Sequence, residues 1–173
     1  MRRKSVVGDP RKDPARILSR RRITRARKEL ARVIRNLPED VRFNVIPYST
    51  DVGSWKKKLT LATPSAKKSA ENFIGALKAE GITVTDWALE AAFADLQVDT
   101  VYLITDGAPT HRGSRGPQRP VDADDIIKHI HRRMKHLNFL RGSRIFTLGF
   151  PDADEEFLKK LAREHSGTYT PIK

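Results

Sequence analysis

The stretch that most constrains this chain is Val101-Tyr102-Leu103-Ile104, which runs straight into Thr105-Asp106-Gly107. Consecutive apolar residues rich in β-branched and aromatic types, closed by Asp-Gly, predict a buried strand opening into a tight loop. The run has too little polar alternation for a half-exposed strand, so it is expected to be covered on both faces, as in a parallel sheet. Asp106 then stands at the carboxyl end of a buried strand, where ligands of open α/β sheets bind. Its carboxylate is either a cation ligand or a turn group that caps the next loop.

The flanking sequence supplies the partners of such a sheet. Ile23, Ala26, Leu30, Val33, Ile34 and Leu37 recur at helical spacing until Pro38. Arg42–Tyr48 reads as a strand with an awkward Pro47, and Trp55–Ala62 as an edge strand blunted by Lys56, Lys57 and Lys58. A helix capped by Ser65 carries the stripe Ala66, Ala70, Phe73, Ile74 and Leu77, and Gly81 ends it. A further helix, capped by Thr85 or Asp86, is apolar nearly all round through Leu96. Val121–Leu137 is helical, and its His129, His131 and His136 lack the i, i+4 spacing of a metal pair and are read as surface residues. Arg144–Phe150 is a second buried strand. A last helix with acidic residues at its positive end runs from Asp152 to Gly167, and Thr168–Ile172 is a final strand. Helices and strands alternate after residue 38, which predicts an α/β layered sheet with crossover helices on both faces.

A length of 173 residues suits one domain. The absence of cysteine rules out a disulfide framework and thiolate metal sites. No apolar run approaches the ~20 residues needed to cross a bilayer. The basic N-terminus lacks the apolar centre of a signal peptide, which makes the cytoplasm the default expectation. Charge is lopsided: residues 1–28 hold 12 Lys/Arg against 2 Asp, a net of +10 out of the chain's +13. Residues 1–22 are therefore expected to form a basic, flexible arm ahead of a domain over 23–173. Such an arm is either solvated tail or a nucleic-acid contact through phosphates. It lacks interleaved aromatics, which weakens base stacking as a mode. There is no phosphate-binding Gly-rich loop and no catalytic set, so no enzyme activity is expected.

Taken in order, Arg42–Val52, the Gly81-Ile82-Thr83 loop running into Asp86-Trp87-Ala88-Leu89, Val101–Thr110, Arg144–Phe150, Phe157–Ala162 and Ser166–Tyr169 resemble a von Willebrand factor type A (vWA) domain. The resemblance implies a Rossmann-like three-layer domain, with a mostly parallel central sheet and one antiparallel edge strand at Trp55–Ala62. It also implies a metal-ion-dependent adhesion site at the carboxyl end of the sheet. Three loops build that site in the family: an Asp-x-Ser-x-Ser motif after the first strand, a threonine in a Gly-Gly-Thr-like loop, and an aspartate in a Thr-Asp-Gly loop. Thr83 and Asp106 match the last two. Hard oxygen ligands of this kind suit Mg²⁺, whose octahedral shell leaves a place for a partner's carboxylate. The plainer alternative for Thr83 is a loop hydroxyl bonded to backbone.

The first motif is absent, and no apolar strand precedes Ile23. Either the chain starts late, with that strand upstream of Met1, or the site has degenerated. In the family the missing strand lies between those matching Arg42–Tyr48 and Thr100–Thr105. Both would lose backbone partners, at ~1–3 kcal/mol for each buried orphan. Unless Lys4–Val7 or another segment plugs the gap, low stability is expected. Any Mg²⁺ bound by this chain is expected to be weakly held. The expected function is an adhesion-type protein-interaction module that binds an acidic partner group, with His111, Arg112 and Arg115 beside the site to receive it. The alternatives are a nucleic-acid-associated protein acting through residues 1–28 and, more remotely, a metal-dependent hydrolase.

Overall fold

The computed structural model describes residues 14–78, 83–105, 108–110 and 123–172, with side chains from Arg22 onward. Chain order is α1 (Pro14–Arg35), β1 (Arg42–Phe43), β2 (Thr60–Leu61), α2 (Pro64–Ala76), α3 (Thr85–Ala92), β3 (Thr100–Thr105), α4 (Ala123–Asn138), β4 (Arg144–Gly149), α5 (Glu155–Glu164) and β5 (Tyr169–Pro171). The architecture is α/β and Rossmann-like.

Among the described residues the strands form two sheets rather than one. β1 and β2 pair antiparallel, with Phe43 opposite Thr60. The strands β3, β4 and β5 form a parallel sheet in that order, with Val101 opposite Ile145 and Thr147 opposite Tyr169. Each parallel crossover is a helix, α4 and then α5, as such connections require.

The larger core lies on one face of the parallel sheet. Leu103 and Ile145 meet Leu89 and Phe93 at α3, Ile126, Ile130 and Met134 of α4, and Phe157, Leu158 and Leu161 of α5. Successive strand residues point to opposite faces, so Tyr102 and Ile104 face the other way. Tyr102 is 53% exposed while Leu103 is 4% exposed. The expectation that this strand is covered on both faces is thus corrected: its second face is only partly covered. Tyr102 shelters instead against Phe146, stacked with centroids 5.1 Å apart. A smaller core joins Ile34 of α1, Phe43 and Val45, Ala62, and Ala70 and Ile74 of α2, with Phe43 stacked on Trp55.

Several element boundaries differ from expectation for identifiable reasons. α1 begins at Pro14, so residues 14–22 are helix and not arm; proline suits a first helical turn, where its missing N–H costs nothing. β1 stops at Phe43 because Asn44 takes over the pairing with its side chain. Its Oδ1 accepts from Lys56 N at 3.0 Å and its Nδ2 donates to Lys56 O at 2.7 Å. Pro47 then needs no ladder donor, and its carbonyl accepts from Gly53 N at 2.8 Å. The cap of α2 is Thr63, not Ser65: Thr63 Oγ1 accepts from Ala66 N, and Pro64 occupies the first helical position. Neither Thr85 nor Asp86 caps α3, whose N-cap is Val84 with no side-chain bond. α3 ends before Leu96, which is 80% exposed. There the Asp95 side chain accepts from Gln97 N at 3.0 Å and closes a local turn. The acidic start of α5 is as expected, with Asp154 as its cap over Phe157 N.

Candidate functional site at the carboxyl end of the parallel sheet

Three loops meet where β3 ends. The loop after β1 is closed by an antiparallel bridge between Tyr48 and Val52, and Ser49 N donates to Asp51 O at 3.0 Å. The segment leading into α3 is tied to it, because Val84 N donates to Ser49 O at 3.2 Å. The segment after β3 closes the ring: Thr110 N donates to Thr83 O at 3.0 Å, and Thr83 N donates to Thr110 Oγ1 at 2.8 Å. Thr105, the last residue of β3, is buried, and its carbonyl accepts from Phe150 N at 3.2 Å. Loops after β1 and β3, and the segment entering α3, therefore share one rim.

Thr83 lies on that rim. Its two backbone groups make the bonds, and the hydroxyl bonded to backbone here is that of Thr110. Asp106, His111, Arg112 and Arg115 lie outside the described residues, as does Gly81. The sequence reading took Thr85 only as a candidate cap; it is 1% exposed, and its Oγ1 has no hydrogen-bond partner among the described residues. The same reading missed the burial of Asp86 in the first turn of α3. Both stand within three residues of Thr83, in a Thr-x-Thr-Asp sequence dense in oxygen donors, which was the available signal.

Among the described residues, no group of three or more His, Asp or Glu could hold a metal ion. The rim shows the hydroxyl of Thr110 bonded to Thr83 N, and the sequence next to Thr83 adds the buried Thr85 and Asp86. Hydroxyl and carboxylate oxygens are hard donors of the class that Mg²⁺ accepts.

A second polar cluster sits away from the rim, between α4 and α5. His131 is 5% exposed, which corrects its reading as a surface residue. Its Nδ1 lies 2.6 Å from Glu164 Oε2, and Lys135 Nζ lies 3.0 Å from Glu164 Oε1. Burial pushes the His131 imidazolium pKa down against the pull of Glu164. Burial also opposes charge on Glu164, but Lys135 and His131 hold its carboxyl below the usual range. A neutral His131 with its proton on Nδ1 satisfies both tendencies. His165, also buried, is held by Asn138, whose Oδ1 accepts from Ser143 N at 2.8 Å. That fixes the amide so that its Nδ2 donates to Ser143 O at 2.7 Å and to His165 Nδ1 at 3.0 Å. This cluster joins two helices and the start of β4, and its role is structural.

The family profile of the von Willebrand factor type A domain matches residues 15–170. This chain belongs to the von Willebrand factor type A family. Curated relatives include mouse inter alpha-trypsin inhibitor heavy chain 4, 27% identical over 164 residues that cover 87% of this chain and 16% of that protein. Human von Willebrand factor A domain-containing protein 3B is 27% identical over 131 residues, 74% of this chain and 9% of its own length. The chain thus spans less than a fifth of the curated relatives it matches. Among solved structures, a von Willebrand factor type A protein from Catenulispora acidiphila has a TM-score of 0.69 at 19% identity, covering 87% of this chain and 34% of that one. A pilus adhesin from Lactobacillus rhamnosus GG gives 0.65 at 17% identity, covering 87% of this chain and 26% of that one. At these identities the structures establish the vWA fold alone. The described helix α1 begins at Pro14 and the profile match at residue 15, both ahead of Ile23.

Proposed function

We propose that this vWA domain is a protein-interaction module that recognises an acidic side chain of its partner at the carboxyl end of the parallel sheet. The observation that supports it is the rim itself: Val84 bonded to Ser49 and Thr83 bonded to Thr110 draw three loops to one place. Open α/β sheets bind ligands at that end. Thr83 and Asp106 would hold Mg²⁺ there, and the cation supplies a hard, partly hydrated Lewis acid to which a carboxylate oxygen can bind. Thr83 brings a hydroxyl and Asp106 a negative charge. His111, Arg112 and Arg115 follow Thr110 directly in the chain and would add positive charge beside the rim. The pilus adhesin among the fold neighbours agrees with this reading at the level of fold.

A magnesium titration of the full chain, read as melting temperature, tests the metal. A saturable rise that is lost in Thr83→Ala and in Asp106→Ala is expected, since a ligand bound only by the native state stabilises it by mass action. No shift at millimolar Mg²⁺ would remove the metal from the reading. Binding to immobilised acidic peptides, abolished by EDTA and insensitive to moderate salt, is the functional counterpart. Nucleic-acid binding with a steep salt dependence, lost when residues 1–28 are deleted, would instead favour the basic segment as the working part.

A further inference from the structure

The opposite end of the parallel sheet carries a different surface. Three large apolar side chains stand in solvent there: Leu96 is 80% exposed, Phe139 83% and Leu140 91%. They sit on two loops, the one entering β3 and the one entering β4. The loops are joined by Arg141, whose Nη1 donates to Phe93 O, by Ser143 Oγ to Val98 O at 2.8 Å, and by Arg144 N to Asp99 O at 2.8 Å. These bonds bring the apolar tips to one end of the molecule and hold the loops to each other.

Basic side chains flank the tips. Lys135, His136 and Arg141 line a groove with Leu137, Phe139 and Leu140. Arg144 is exposed at the start of β4. The segment Lys56–Lys58 is brought alongside by Leu59 N, which donates to Asp95 Oδ2 at 3.2 Å. Acids stand among them. Asp95 accepts from the backbone of Leu59 and Gln97 and keeps its charge, and Glu164 pairs with Lys135 and His131, so the uncompensated positive charge of this end rests on Arg141, Arg144 and Lys56–Lys58. Asp99 is a further exposed acid, beside Arg144.

We infer that this end of the domain is a peripheral membrane-binding surface selective for anionic bilayers. Apolar side chains on loop tips, backed by cations at the level of the headgroups, combine the two contributions that hold a protein at a charged interface. Phe139 and Leu140 are almost fully exposed even though they line the groove, so a protein partner would have to supply the pocket that buries them. An anionic bilayer supplies apolar depth and negative charge together. The surface lies at the end of the strands away from the Thr83 rim, so membrane contact would leave that rim open. The inference does not depend on the rim's function.

The test is co-sedimentation of the full chain with phosphatidylcholine vesicles, with and without phosphatidylserine. Binding is expected with phosphatidylserine only, weakening as salt rises, because the charge contribution is screened. Phe139→Ser with Leu140→Ser should reduce the partition coefficient by about tenfold or more, since burial of two large apolar groups is lost. Both positions are exposed, and an unchanged melting temperature would show that the fold is kept. As a second readout, Phe139→Trp should shift its emission to the blue on anionic vesicles and not on neutral ones. Failure to sediment with anionic vesicles overturns the inference. So does equal binding by the double variant, which would assign the attraction to the basic residues 1–28 alone. A soluble protein that binds the wild type and not the double variant, with no vesicle binding, would replace the bilayer by a protein partner.

Discussion

The Tyr48 hydroxyl donates to the carbonyl of Ile104 at 3.2 Å, across the space between the two sheets. The geometry of β3 explains why that carbonyl is available. Asp99 O and Thr105 O accept from Arg144 N and Phe150 N, so the odd-numbered residues of β3 turn their backbone groups toward β4. In a parallel ladder the N–H and C=O of one residue point the same way, which turns Thr100, Tyr102 and Ile104 toward the opposite edge. Among the described residues no strand pairs with that edge. A side chain from the loop after β1 takes one of its acceptors.

Tyr48→Phe is therefore expected to destabilise the domain by about 1 kcal/mol, the usual net worth of one hydrogen bond. The ring stays packed and only the hydroxyl is lost. Urea unfolding with an unchanged m-value checks the expectation.

Hydrogen exchange along β3 should alternate. The amides of Val101, Leu103 and Thr105, which face β4, are expected to exchange slowly. Those of Tyr102 and Ile104 should exchange much faster, because an edge strand leaves such groups unpaired. Uniform protection of all five would show that another strand occupies the open edge. The same experiment bears on stability, for a domain with ~5–15 kcal/mol in total has little to spare for several unpaired groups.

How far the sequence reached can be judged residue by residue. The position of Thr83 in a loop just before a helix was legible because that pattern is local, and the strand that ends at Thr105 was legible because its apolar run is local too. β1 was read as seven residues and has two, because a strand exists only through its partner, and Asn44 substitutes a side chain for the ladder. Leu96 fitted a helical stripe, but the turn closed by Asp95 set the boundary. Ser65 is not the cap because Pro64 already occupies the first helical position, which makes Thr63 the capping residue. The burial of His131 could not be read locally: its partner Glu164 is 33 residues away on another helix.

The two buried histidines predict a pH dependence. Burial lowers the pKa of both His131 and His165 from the ordinary value of 6.5. Below that pH the unfolded chain takes up protons that the folded chain refuses. Stability is thus fully present above about pH 6.5 and falls as pH drops toward the lowered folded-state values. Groups around the pair are Glu164, Lys135 and Lys160 near His131, and Glu164 and Lys135 near His165. Unfolding free energies at several pH values between 7.5 and 5 should decline, and His165→Asn should flatten part of the slope.

The end of α5 gives a matched pair of substitutions with opposite signs. Gly167 N donates to Ala162 O at 2.9 Å and Ser166 has a φ of 53°, which is a left-handed helix terminus. Glycine usually fills the left-handed position, so Ser166→Gly is expected to raise stability by up to about 1 kcal/mol. At Gly167 the constraint is space, not φ. An added Cβ would stand 1.9 Å from the carbonyl oxygen of Ile145, in the strand that His165 O and Thr168 O bond on either side. Since the obstacle is backbone, Gly167→Ala must push the helix terminus off β4, and a loss of about 1–3 kcal/mol or more is expected. Thermal melts of the two variants should move in opposite directions. Equal and small shifts would mean that the terminus of α5 is not held against β4.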